Sequence, residues 1–146
     1  MATVELRFSA LPEHVRTARL VAAAVARRAG VDEAVLDEVR LAVGEACTRA
    51  VGLHLSNGVD APVRVALTEE EKKFSIEVGD ESPTSAGHTP GAHPDVDDDG
   101  TAEAESEDEM GLAVISGLVD DVEVTTSETG GVIRMSWPAS PQPLVP

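Results

Sequence analysis

Polar and apolar positions alternate through TVELRFS at residues 3 to 9, with Val4, Leu6 and Phe8 on one side. A period of two predicts a half-buried strand. After Pro12 the spacing lengthens: Val15, Ala18, Ala22, Val25 and Ala29 recur every three or four residues and stop at Gly30, which predicts a helix ended by glycine. A second helix is predicted from Asp32, a good N-cap with Glu33 behind it, to about Leu55 before the turn residues SNG. Period two returns in PVRVAL, presenting Val63, Val65 and Leu67, and in KFSIEVG, presenting Phe74, Ile76 and Val78. MGLAVISGLV, at 110 to 119, is apolar almost all round and predicts a short buried helix. DVEVTTS and GVIRMSW close the chain as two strands joined through TGG at 129 to 131, a suitable hairpin turn.

The order strand, helix, helix, strand, strand, helix, strand, strand buries every apolar face if the helices cover one side of a mainly antiparallel sheet. An α+β, two-layer sandwich is therefore expected. The 146 residues suit one domain. Only 2% are aromatic, so the core has to be packed from Val, Leu, Ile and Ala.

Charge divides the chain further. Between Asp95 and Glu109 there are nine acids and no base; without them 18 acids face 11 bases. Upstream, SPTSAGHTPGAHP has almost nothing to bury, so 82 to 109 reads as a long flexible acidic insertion in a domain spanning 1 to 137. Residues 138 to 146 read as a proline-rich tail. The formal charge of -16 disfavours nucleic acid and anionic membranes, and favours a basic protein partner. No basic-then-apolar leader and no apolar run approaching ~18 residues occur, so a cytoplasmic protein is expected. One cysteine, Cys47, suits a reducing compartment and sits in an apolar helical stretch, as a buried thiol would.

Three segments carry a family resemblance: LDEVRLAVGEACTRAV, IEVGDESP, and MGLAVISGLVDDVEV with its GG hairpin. Over Pro12 to Trp137 they resemble the boxes of the bacterial anti-sigma factor serine/threonine kinases, within the histidine-kinase-like ATPases of the Bergerat fold. The resemblance implies a protein that holds a sigma factor inactive, binds a STAS-domain antagonist and phosphorylates it with ATP and magnesium. It also implies a homodimer through the sheet and first helix. In the family a glutamate on the second helix is the general base and an asparagine four residues later binds magnesium; Glu45 matches the first, but Arg49 stands at the second. A guanidinium has five donors and no acceptor, so it cannot ligate a cation. A helical Glu45–Arg49 ion pair, worth about 0.2 to 0.5 kcal/mol, is the expected use of the two residues. The family's following histidine is replaced by Leu53, with His54 one position out of register.

In the second box, where the resemblance implies an aspartate reading adenine, Asp80 is kept while Ser82 and Thr84 replace glycines. In the third box Gly111 and Leu112 are kept, but Glu107, Asp108 and Glu109 stand where Gly-x-Gly would cradle phosphates. Two unit charges 4 Å apart interact by about 4 kcal/mol at an effective dielectric near 20, so those acids oppose a triphosphate.

No metal site is expected. DVDDDGTAEAES imitates a calcium loop but has Ser106 at its twelfth position, and His88 and His93 lie in the same polar stretch. The sequence thus predicts an anti-sigma-like regulator that binds a sigma factor, a STAS-domain antagonist or both, without kinase activity and without a cofactor. Glu45 is then a vestigial base, and Asp80 and Gly111 are vestiges of an ATP site. The alternative is an active ATP-dependent serine/threonine kinase of that family. The acidic insertion serves as a solvated linker or as an electrostatic arm that imitates DNA toward a basic partner.

Overall fold

A computed structural model describes residues 2–82, 112–119 and 121–140. Strand β1 (Ala2–Phe8) leads into helix α1 (Glu13–Ala29); a single 3-10 turn (Glu33–Val35) leads into helix α2 (Leu36–Asn57). Strands β2 (Val63–Glu69) and β3 (Lys73–Asp80) follow. A short helix, α3, occupies 112–118, and β4 (Asp121–Ser127) and β5 (Gly130–Pro138) complete the fold.

The five strands form one sheet in the order β1-β2-β3-β5-β4, and every pairing is antiparallel. The register aligns the predicted faces: Leu6 opposes Val65, Val65 opposes Val78, and Val78 opposes Ile133. Because side chains alternate across a strand, this register puts all four toward the helices. Arg7, Arg64, Gly79 and Val132 fall in the neighbouring row, on the side the helices leave open.

The core is small-grained, as the shortage of aromatic residues requires. Ala18, Ala22 and Ala26 of α1 and Val39, Val43 and Ala46 of α2 are buried, and these small side chains let the two helices pack closely over the sheet. Phe74 and Trp137, cross-strand partners, are both buried and stack with ring centroids 6.4 Å apart. Burying each Val, Leu, Ile or Phe contributes about 1.5 to 3 kcal/mol, which many such residues turn into a stable sheet–helix interface.

Several boundaries differ from the sequence reading. Asp32 does cap a helical start, its Oδ1 accepting from the Ala34 amide at 3.0 Å, but that turn is 3-10 and α2 proper begins at Leu36. α2 also continues to Asn57, where Gly58 adopts a left-handed φ of 64°. The helix at 112–118 forms, but it is not buried all round. Ile115 and Val119 face the core while Val114 remains 41% exposed, since a helix lying on a sheet has only one covered face. The edge strand β4 is mostly exposed and carries Asp121 and Glu123, charges that discourage pairing with another sheet.

Candidate functional site

The residues singled out in the first two sequence boxes converge where α2 crosses the end of β3. β3 runs buried until Asp80, which keeps the core-facing parity of Phe74, Ile76 and Val78, so its carboxylate enters beneath α2. Its side chain is only 4% exposed. Oδ1 accepts the Ser82 backbone N–H at 2.9 Å, a local turn that also buries Ser82, the first residue of the expected insertion. Oδ2 faces Nη1 of Arg49 at 4.0 Å, and the arginine side chain is 11% exposed. The helical Glu45–Arg49 pair expected from the sequence does not form among the described residues; the guanidinium crosses to β3 instead. The physical reason is burial: a carboxylate removed from water demands a cation far more strongly than a half-exposed glutamate does.

Glu45 lies one turn earlier on α2, half-buried, with no ion pair or hydrogen bond to its carboxylate among the described residues. The floor of the site is formed by the β4–β5 hairpin. Gly131 is the register partner of Asp80, and a Cβ there would come within 3.1 Å of Asp80 Oδ2. Gly130 has a φ of 146°, and a Cβ on it would fall 2.0 Å from the Asp80 carbonyl oxygen, so only glycine lets the hairpin close on the end of β3.

One residue of the site was missed by sequence reasoning. His54, set aside as out of register, is completely buried. Its Nε2 accepts the Glu81 backbone N–H at 2.8 Å, which leaves Nδ1 as the protonated nitrogen to donate to the Ala61 carbonyl at 2.9 Å. The neutral ring thereby fixes the chain immediately after Asp80 to the end of α2. The signal was present: His54 continues the apolar stripe through Cys47, Ala50 and Val51, where a polar residue has to find partners. Cys47 is buried as expected, and burial pushes its thiol from the usual 9.0 up to about 12, which leaves it inert as a nucleophile.

Two features of this arrangement bear on the fit of a magnesium–nucleotide complex. The aspartate that would read a base already holds one N–H and faces a guanidinium, and Arg49 brings donors to the position where a cation needs an acceptor. Among the described residues no group of three or more His, Cys, Asp and Glu gathers in a geometry able to hold a metal ion. Gly111 and the acids Glu107, Asp108 and Glu109 lie outside the described residues.

The model of the histidine kinase-like ATPase domain family matches residues 8–137 of this chain. The chain belongs to that family. Among curated relatives, the serine-protein kinase RsbW of Bacillus pumilus is 30% identical over 143 residues, covering 91% of this chain and 83% of its own. RsbW of Oceanobacillus iheyensis is 28% identical over 138 residues, covering 91% and 84%. These relatives agree with the anti-sigma factor kinase family recognised in the sequence. Among solved structures, the RsbU and RsbW domains of a Mycobacterium tuberculosis protein superpose with a TM-score of 0.64 at 16% identity, over all of this chain and 35% of that one. The histidine kinase-like fold is thus shared, and in it the aspartate ending β3 lies beneath the helix that carries Glu45 and Arg49. No helix among the described residues is long and apolar enough to cross a membrane.

Proposed function

We propose that this family member is a non-catalytic regulator of the partner-switching kind, which binds a sigma factor, a STAS-domain antagonist or both as a homodimer. One observation carries the reading: the Asp80 carboxylate is engaged from within the protein by the Ser82 N–H and by Arg49. Base recognition would need that carboxylate open, and magnesium would need an acceptor where the guanidinium stands. The three acids at 107 to 109 add like-charge repulsion against a triphosphate. On this reading the protein works through its surfaces, and the acidic stretch from Asp95 to Glu109 steers a basic partner toward it.

The test is calorimetric titration with ATP and magnesium, followed by transfer of labelled phosphate to a purified antagonist. The expected result is no saturable binding tighter than about 1 mM, a free energy near -4 kcal/mol, and no transfer. Micromolar binding with phosphotransfer would overturn the reading. It would favour the second one, an active serine/threonine kinase, for which the specific support is Glu45. That carboxylate matches the general base of the family and makes no ion pair among the described residues.

A further inference from the structure

On the helix-free side of the sheet, behind Asp80, a cleft of about 380 Å³ opens between the strand ends and the β4–β5 turn. Arg7 and Arg64 line it as direct cross-strand partners on β1 and β2. Two like charges placed opposite each other on adjacent strands destabilise a sheet. Arg7 offsets its charge partly through Nε, which donates to Glu5 Oε1 at 2.8 Å. Arg64 forms no ion pair among the described residues, in a chain with 27 acids and 11 bases.

The guanidinium of Arg64 is also given room. Its row partner on β3 is Gly79, and a Cβ on Gly79 would come within 3.0 Å of Arg64 Nη2. The bare backbone therefore lets the fork lie across β3, and the β4–β5 turn closes that end of the cleft as a wall, its Ser127 hydroxyl donating to the Gly130 carbonyl at 3.0 Å and pairing with the Thr129 hydroxyl at 3.1 Å. Asp80 contributes to the wall, but its carboxylate is held on the other side by Ser82 and Arg49. Glu81 is the exposed acid at the rim.

We infer that this cleft is a binding site for a tetrahedral oxyanion of the phosphate class, held between the guanidinium groups of Arg64 and Arg7. An oxyanion relieves the Arg7–Arg64 repulsion and accepts from both forks, which charge-assisted geometry favours. The site goes beyond the regulatory reading and is independent of it, because it lies across β3 from the Asp80 carboxylate and needs neither nucleotide nor protein partner.

Thermal unfolding of the full chain tests it, with inorganic phosphate, glycerol phosphate or acetate titrated at constant ionic strength. Phosphate is expected to raise the midpoint by about 3 °C near saturation, and acetate to leave it unchanged. A larger shift with glycerol phosphate assigns the natural ligand to an esterified phosphoryl group; an equal or smaller one assigns it to the free ion. Arg64→Gln removes the like-charge pair and should fold as well as the parent, yet lose phosphate affinity at least tenfold. Glu81→Gln should gain affinity. The inference is overturned if phosphate stabilises no better than acetate, or if Arg64→Gln responds like the parent. Loss of this response with regulator activity intact sinks only the cleft, and ATP-dependent phosphotransfer with the response intact sinks only the regulatory reading.

Discussion

Replacing Arg49 with alanine should destabilise the fold much more than loss of a surface arginine does. At 4.0 Å the Arg49–Asp80 attraction is about 4 kcal/mol for an effective dielectric near 20. Desolvation of both groups cancels part of that in the native protein, but truncating Arg49 leaves Asp80 buried and charged, with the Ser82 N–H as its remaining partner among the described residues. Arg49→Ala is therefore expected to cost about 2 to 4 kcal/mol. Asp80→Asn keeps an acceptor for Ser82 and leaves a guanidinium that can still reach water, so its cost should be about 1 to 2 kcal/mol. In the double variant the stranded carboxylate is gone, and the sum of the single losses should exceed the double loss by about 1 to 3 kcal/mol. Urea unfolding followed by far-ultraviolet circular dichroism measures all four corners of this cycle, and the cycle cancels whatever else Arg49 contacts. The coupling should persist in high salt, because ions screen a buried pair weakly. Additivity within about 0.5 kcal/mol would refute the idea that Arg49 neutralises Asp80.

His54→Ala removes the acceptor of the Glu81 N–H, the donor to the Ala61 carbonyl and a fully buried ring, so a loss of about 2 to 4 kcal/mol is expected. Hydrogen exchange at the Glu81 amide should accelerate beyond the change set by global stability; unaltered protection would show that the ring does not fix this turn. Cys47 gives a pH dependence. Below pH 9 the thiol is neutral whether folded or not, and between 9 and about 12 only the unfolded chain loses the proton, so stability falls as pH rises by about 1.4 kcal/mol per unit. Between pH 7 and 10.5 the parent should lose about 2 kcal/mol more than Cys47→Ala in urea unfolding, and equal losses would contradict the buried neutral thiol.

Much of the architecture was legible because strands and helices advertise themselves by period. Val4, Leu6 and Phe8, or Val63, Val65 and Leu67, fix which side of each strand is covered, and Gly30 marks the end of α1 with a φ of 96°. The site was legible only in part. Glu45 and Arg49 are one helical turn apart, so sequence spacing suggests that they pair; the actual partner of Arg49 on β3 lies 31 positions away and depends on how α2 crosses the sheet. Such long-range pairing leaves no local trace. His54 shows the converse case, a residue whose apolar periodicity announced burial but whose two hydrogen bonds depend on loops at Ala61 and Glu81.

On the proposed reading, the pairing of Arg49 with Asp80 bears on how a nucleotide-binding fold would persist without nucleotide. Asp80 is buried at the end of a central strand, with a glycine hairpin closing on it, and its carboxylate has no route to bulk water comparable to that of a surface acid. If a ligand satisfied that carboxylate and the ligand were then lost from the protein's repertoire, an unpaired buried charge would remain, at a cost of several kcal/mol. That is comparable to a large share of the stability of a small domain. An arginine on α2 at position 49 would remove the problem from within, at the position where the family resemblance implies a metal ligand. The residue that stands in place of a magnesium ligand, on that reading, also supplies the counter-charge that Asp80 needs. On the proposed reading, restoring an amide with Arg49→Asn should lower stability before it restores any nucleotide affinity, because the acids at 107 to 109 still oppose phosphate while Asp80 has lost its cation.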